Sequence, residues 1–280
     1  MKQILKPECS YFTNGVLTMH DIENAFVRKT ALTAKVSSID AELRKVYLRM
    51  GNGLIAEMDW EEATICPLKV AEDNEIGIPE QIKAINKKKV RVLVKDIASN
   101  GIVTVSRRDN MKKAWEVICN TPDSAILDAA VVGIHKYGTV VYYDIGDGIT
   151  GFCHLYNFNS TKVELRKWIR NGEIHQVKKT GQPDLKNFSF DCSRKDACSK
   201  SYADFQKYDI LDVKVASPIC EIDKTTGELT RTAYYVEVNP LVIGIAEVPF
   251  IPREIEYGET VKAAVRKIDV AKRKMWLAIL

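Results

Sequence analysis

Residues 126–155 constrain the fold of this chain more than any other stretch, because they contain three short strand-like runs in succession. The first two runs are separated by Lys136-Tyr137-Gly138 and the last two by Gly146-Asp147-Gly148, and glycine and aspartate tolerate positive φ in turns. The runs are rich in β-branched and aromatic residues and cover 129–135, 139–145 and 149–155. Short strands joined by glycine-rich turns predict a small barrel or sandwich.

The second run carries aromatic residues on both of its faces. Side chains alternate along a strand, so Val141 and Tyr143 lie on one side and Val140 and Tyr142 on the other. Both sides cannot face the core, so some of the rings must be exposed. Exposed rings on a barrel are the usual platform on which single-stranded bases stack. The alternative is that the tyrosines pack the rim of the barrel, because tyrosine is often half-buried.

The motif that spans these runs resembles a known RNA-binding domain. Tyr-Gly-x-x-Val at 137–141 is followed by Gly-Asp-Gly-Ile-x-Gly-Phe-x-His at 146–154. This order is similar to the domain named after bacterial ribosomal protein S-one. The resemblance implies a five-stranded oligonucleotide-binding barrel, the OB fold, with an RNA surface on it.

The resemblance also implies which residues form that RNA surface. The family's pattern has an aromatic residue before the glycine, a second aromatic two residues after it, a histidine on the third strand and a basic residue after the fifth. In this chain those positions are Tyr137, Val140, His154 and Arg194, with Lys195 beside the last.

Two of these positions leave alternatives open. Val140 departs from the pattern and removes one stacking ring, which Tyr142 or Tyr143 could supply instead. His154 either stacks on a base or donates a hydrogen bond to one. The other reading is that His154 is a satisfied histidine of the barrel wall.

Internal recurrence extends the barrel prediction to the whole chain. The same order of strand, glycine turn, strand, long connection and closing hairpin appears twice, ending in VTVSRR and in FDCSRK. A period of roughly 70 to 90 residues is the size of successive OB barrels. We therefore expect a mainly β chain with three tandem five-stranded barrels. The predicted domains are an N-terminal extension with a short helix at 1–29, a first barrel at 30–108, a helical linker at 109–123, a second barrel at 124–205 and a third at 206–280.

The flanking repeats carry weaker motifs than the central one. The first has Tyr47 on its second strand but neither the Tyr-Gly start nor the histidine, although it ends in Ser106-Arg107. The third has neither a histidine nor the Ser-Arg ending. We expect both to be degenerate copies, and the third to be structural or protein-binding rather than RNA-binding.

Two connecting segments have helical spacing. In the linker, Met111, Ala114, Trp115 and Ile118 recur at helical intervals, and Asn110 could cap the start. Residues 160–169 are predicted to form a helix with a basic face near the RNA surface. That face consists of Lys162, Arg166, Lys167 and Arg170.

Composition permits an anionic partner and points to no cofactor. The net charge is +4, and no apolar run approaches the ~20 residues that a membrane helix needs. The N-terminus lacks the apolar core of a signal peptide. The seven cysteines are scattered without a Cys-x-x-Cys pair, which favours reduced thiols, a cytoplasmic location and no zinc site.

These patterns favour binding over catalysis. No clustered carboxylates, phosphate loop or nucleophile motif is present, so we expect the protein not to be an enzyme. The expected function is non-catalytic binding of single-stranded RNA. By the resemblance, the RNA is messenger RNA in translation, with the ribosome as a further partner. The alternatives are a protein-interaction scaffold built of OB barrels and an accessory subunit of an RNA-processing complex.

Overall fold

The computed structural model describes residues 5–11, 17–51, 53–70, 77–160, 163–222, 229–249 and 253–280. Within these residues the chain forms three closed five-stranded barrels. The expected fold class, mainly β with tandem OB-type barrels and short helices, is confirmed. The domain boundaries given above stay predictions.

The first barrel is closed in the order β1-β2-β3-β5-β4. Strands β3 and β5 pair in parallel, whereas β1 pairs antiparallel with both β2 and β4. Val90, Val92 and Val94 are buried, as their alternation in the sequence predicts. The strands are β1 (Leu32–Asp40), β2 (Lys45–Arg49), β3 (Ile55–Asp59), β4 (Lys89–Ile97) and β5 (Val103–Ser106).

The middle barrel has its strands in the order β10-β8-β7-β6-β9. The Gly146-Asp147-Gly148 turn between β7 and β8 is held by Asp144, whose Oδ1 accepts hydrogen bonds from the backbone N–H groups of Gly146 at 2.9 Å and Gly148 at 3.0 Å. The strands are β6 (Leu127–Ile134), β7 (Val140–Asp144), β8 (Thr150–His154), β9 (Ile174–Asp184) and β10 (Ser189–Ser193).

The third barrel repeats the strand order of the first, β11-β12-β13-β15-β14. Here β13 and β15 are the parallel pair. Its core includes Val213, Val236, Val265 and Leu277. The strands are β11 (Ile210–Ile222), β12 (Leu229–Asn239), β13 (Val242–Glu247), β14 (Thr260–Asp269) and β15 (Lys274–Ile279).

The helices are short and lie between strands or before them. Helix α1 starts with a reciprocal capping box, in which Thr18 Oγ1 accepts from the Asp21 backbone and Asp21 Oδ2 accepts from the Thr18 backbone. The α-helices are α1 (Met19–Arg28), α2 (Glu80–Ile85), α3 (Arg107–Cys119), α4 (Leu155–Phe158), α5 (Leu165–Trp168) and α6 (Arg194–Ala197). Single 3-10 turns occur at Glu8–Ser10, Trp60–Glu62 and Tyr202–Asp204.

The linker helix starts earlier than the sequence suggested. Its cap is Ser106, whose Oγ accepts from the Asp109 backbone N–H at 2.9 Å. Asn110 was the expected cap but is buried inside the helix, where its amide donates to Asp147 Oδ2 at 3.2 Å. Further along the helix, Trp115 packs against Phe188 and Phe190, with ring centroids 5.4 and 4.8 Å apart.

The predicted helix over residues 160–169 is shorter in the structure. Among the described residues of this range, helix is confined to Leu165–Trp168, and the preceding Glu164 donates its backbone N–H to Tyr257 Oη at 2.7 Å. Val163, Leu165, Trp168 and Ile169 are nevertheless buried. Tertiary packing, rather than helix propensity, therefore determines the path of this segment. Lys162, one of the predicted basic residues, lies outside the described residues.

The chain divides into two compact units. The first comprises Met1–Ala130, Tyr143–Gly151 and Thr180–Asp191, and the second comprises Val131–Tyr142, Phe152–Lys179 and Cys192–Leu280. Among the described residues, no helix is both long enough and apolar enough to cross a membrane.

Candidate nucleic-acid interface

Burial of alternate residues shows which face of β7 and β8 points outward. Val141 and Tyr143 are buried, whereas Val140 and Tyr142 are partly exposed on the opposite side of β7. On β8, Cys153 is buried, and Phe152 and His154 are partly exposed. Of the two tyrosines, Tyr142 therefore shares the outer face with Val140, and Tyr143 belongs to the core.

A row of aromatic rings runs over this outer face. The His135 ring centroid lies 5.3 Å from that of Tyr137 and 6.5 Å from that of Tyr142, and Tyr142 lies 5.5 Å from Phe152. All three contacts are edge-to-face, so the rings present flat surfaces at different angles. Tyr137 is 73% exposed and forms the open end of the row. Sequence reasoning missed His135 and Phe152, although Phe152 is in the motif that carried the resemblance and His135 lies two residues before it.

Cationic groups lie beside the exposed end of the row. The Lys136 ammonium is 4.9 Å from the centroid of the Tyr137 ring, and the Arg166 guanidinium donates to the Lys136 carbonyl oxygen. These residues line a cavity of about 360 Å³ together with Gly138 and Leu165. Proteins that bind single-stranded nucleic acids combine positive charge with exposed aromatic rings.

His154 and Lys195 lie at a second cavity of about 530 Å³. The His154 ring is nearly parallel to that of Tyr156, with an interplanar angle of 13° and centroids 5.4 Å apart. The Lys195 ammonium donates to the Tyr156 carbonyl oxygen at 2.9 Å. The cavity is lined by Thr139, His154, Leu155, Tyr156, Asn159, Ser160 and Lys195.

Arg194 occupies a different environment from Lys195. Its Nη2 lies 2.8 Å from Glu237 Oε1, and its guanidinium is 4.8 Å from the centroid of the Phe158 ring. The Arg194 side chain is 17% exposed and that of Glu237 is 5% exposed. Asn159 donates to the other Glu237 oxygen at 2.6 Å. The guanidinium is therefore paired with a buried carboxylate. The phosphate contact that the resemblance implies for Arg194 stays a prediction.

The Ser-Arg ending that recurs in the sequence has a structural explanation. Ser193 Oγ accepts from the Asp196 backbone N–H at 3.0 Å, so it caps α6 as Ser106 caps α3. The arginine after Ser106 is Arg107, which makes two 2.8 Å contacts to the Glu8 carboxylate. In both repeats the serine starts a helix and the arginine pairs with a buried glutamate.

No metal-binding geometry accompanies these features. Among the residues that the structure describes, no group of three or more histidine, cysteine, aspartate or glutamate side chains is placed to hold an ion. Cys153 is buried in the barrel wall, and His154 is on the opposite face of β8. Alternation along the strand thus separates the two neighbours.

Comparison with known proteins supports the resemblance inferred from the motif. The small ribosomal subunit protein bS1c of Porphyra purpurea is 20% identical to the chain over 235 residues, which cover 81% of this chain and 84% of that protein. The chain resembles ribosomal protein S-one. The three closed barrels fit tandem domains of the S-one type, so the resemblance is confirmed. No protein-family model matches the chain.

The chain is distantly similar to two solved structures. A multidomain protein with nucleic acid binding domains from Streptococcus pneumoniae TIGR4 is 11% identical, with a TM-score of 0.30, over 89% of this chain and 73% of that chain. Drosophila Unr CSD456 is 8% identical, with a TM-score of 0.20, over 90% of this chain and 96% of that chain. TM-scores this low carry no argument about arrangement or function.

Proposed function

We propose that the chain binds single-stranded RNA without catalysing a reaction, through the outer face of its middle barrel. The observation that carries the proposal is the ring row from Tyr137 through His135 and Tyr142 to Phe152. Single-stranded bases have unpaired faces that can lie on such rings, whereas the bases of a duplex are already stacked on each other.

Two kinds of interaction would provide the affinity. Stacking of one base on an aromatic side chain contributes about 1–3 kcal/mol. Lys136 and Arg166 lie near Tyr137, and Lys195 contacts the backbone of Tyr156. All three would contact phosphates, which makes the binding dependent on salt. Val140 lies on the same outer face as Tyr142 and would give a base an apolar contact without a ring.

We further propose that the RNA is messenger RNA and that the chain acts in translation in the cytoplasm, with the ribosome as a second partner. This role in translation is supported by the similarity to a small ribosomal subunit protein, which is 20% identical to the chain.

A second candidate function is a protein-interaction scaffold. The third barrel favours it, because Tyr235, Ile245 and Trp276 are cross-strand neighbours on β12, β13 and β15. Tyr235 is also exposed. In this reading RNA contact at the middle barrel would be vestigial.

Titration of the full chain with labelled oligonucleotides tests the proposal. The probes are single-stranded RNA, its duplex and single-stranded DNA of the same sequence, each at several salt concentrations. We expect the single strand to bind more tightly than the duplex, and the affinity to fall as salt rises. Equal affinity for duplex and single strand would contradict base stacking on the rings, and no binding at low salt would favour the scaffold.

A further inference from the structure

Tyr156 stands outside the motif that identified the site, yet it is the second most exposed aromatic ring beside it. It follows β8 directly and lies in α4, and its side chain is 68% exposed. Its ring is nearly parallel to that of His154 at a centroid distance of 5.4 Å. A base placed on the outer face of Tyr156 would therefore extend a stack that the protein has already formed.

The space beside Tyr156 has the size and the lining for a nucleotide. The cavity measures about 530 Å³, within the range of small-molecule sites. Its wall combines the aromatic rings with the polar side chains of Thr139, Asn159 and Ser160. Ser160 Oγ donates to the Pro240 carbonyl oxygen at 3.1 Å, which leaves its lone pairs as acceptors.

Lys195 places a positive charge at the same cavity. Its ammonium donates to the Tyr156 carbonyl oxygen at 2.9 Å, which fixes the charge close to the tyrosine. An ammonium group has three N–H donors, so one backbone contact leaves donors for a phosphate oxygen.

From these contacts we propose that Tyr156 and Lys195 form a further nucleotide subsite, in which Tyr156 stacks on a base and Lys195 contacts its phosphate. The inference rests on the proposed binding of single-stranded RNA. Gly138 lines the cavity beside Tyr137, and the next residue, Thr139, lines the cavity beside Tyr156. The two cavities therefore flank one turn, and the subsite adds a nucleotide to the strand that Tyr137 holds.

Oligouridylates that differ in length by one nucleotide test this subsite in the full chain. Affinity for the wild-type protein should rise with length until every subsite is filled. Tyr156→Ala should reach its plateau one nucleotide earlier, at an affinity about five- to a hundredfold lower, because one stacked base is lost. Tyr156→Phe keeps the ring and should retain both the plateau length and most of the affinity.

Tyr137→Ala, measured in parallel, separates the two possible failures. If Tyr137→Ala weakens binding and Tyr156→Ala matches the wild type at every length, the subsite is wrong and the proposed function stands. If the wild-type protein binds none of the oligouridylates, both proposals are wrong. Because Tyr156 is mostly exposed, its replacement should leave the circular dichroism spectrum and the unfolding midpoint unchanged, so a loss of affinity reports the lost ring.

Discussion

Partly buried Arg194 forms an ion pair with buried Glu237, with Arg194 Nη2 2.8 Å from Glu237 Oε1. Arg107, which follows the fifth strand of the first barrel as Arg194 follows that of the second, is paired in the same way with Glu8. The basic residue at this repeated position thus pairs with a buried carboxylate distant in sequence. This arrangement changes what removal of Arg194 should do.

Arg194→Ala should lower the free energy of unfolding by about 3–5 kcal/mol, because Glu237 is left buried without its cation. Denaturant unfolding of the full chain measures the loss. Arg253 provides a matched control, since its Nη1 lies 2.8 Å from Glu259 Oε1 but both side chains are much more exposed. Arg253→Ala should cost about 1 kcal/mol or less. Equal losses in the two variants would contradict a buried role for Arg194.

The salt dependence of RNA binding should separate Arg194 from its neighbour Lys195. Lys195→Gln should lower the slope of log affinity against log salt by about one, because one phosphate contact is lost. Arg194→Ala should leave that slope unchanged, since its guanidinium is paired with Glu237. The measurement is a titration with single-stranded RNA at several salt concentrations. The opposite pattern would make Arg194 the phosphate contact, as the family resemblance implies.

His175 should make stability depend on pH. Burial lowers the pKa of His175 to about 3, with further lowering by the nearby charges of Arg194 and Lys214, although Glu173 Oε2 lies 3.4 Å from its Nε2. In the unfolded chain the pKa is about 6.5, so below that pH the unfolded state binds a proton that the folded state does not. Stability from this group is therefore present above about pH 6.5 and is lost as the pH falls towards about 3.

Denaturant unfolding at pH 7 and pH 5 tests this dependence. The wild-type protein should lose about 2 kcal/mol more between the two pH values than His175→Gln, which cannot titrate. The same loss in both proteins would mean that the pKa of His175 is not lowered in the fold, and a smaller loss in the wild type would mean that His175 is charged and paired with Glu173.

Gly148 should be intolerant of a side chain. Its φ is +84°, and an added Cβ would overlap the Arg107 guanidinium and crowd the Glu8 carboxylate. Gly181 is the control, because its φ is +74° but no atom lies within 4 Å of an added Cβ. Both alanine variants incur the backbone strain, about 1–2 kcal/mol. Gly148→Ala should lose about 1–3 kcal/mol more, from overpacking, in denaturant unfolding. A difference near zero would show that the Arg107–Glu8 pair shifts at little cost.

The sequence predicted the barrels because alternation and turn residues are local signals. It did not show which of Tyr142 and Tyr143 is exposed, because alternation indicates that a strand has two faces but not which face packs in the core. The structure resolves this through burial of Tyr143. The predicted helix at residues 160–169 was too long for a related reason, since its apolar positions are buried although, among the described residues of the segment, helix is confined to Leu165–Trp168.

The environment of Arg194 could not be predicted from the local sequence. The motif marks a basic residue after the fifth strand, but Glu237 lies on a strand of the third barrel. Tyr156 was missed because a single ring in a four-residue helix has no periodicity that would single it out. Contacts between segments distant in the chain determine the surroundings of both Arg194 and Tyr156.

The central claim is that rings on the outer face of the middle barrel hold single-stranded RNA, and Tyr137 tests it most directly. Tyr137 is 73% exposed, so its replacement should leave the fold intact. The measurement is the affinity of Tyr137→Ala and Tyr137→Phe for one single-stranded RNA over a range of salt concentrations. Tyr137→Phe should bind like the wild type. Tyr137→Ala should bind about five- to more than a hundredfold more weakly with the same salt slope, because a stacked base is lost and a phosphate contact is not. Wild-type affinity in the folded Tyr137→Ala variant would contradict the claim.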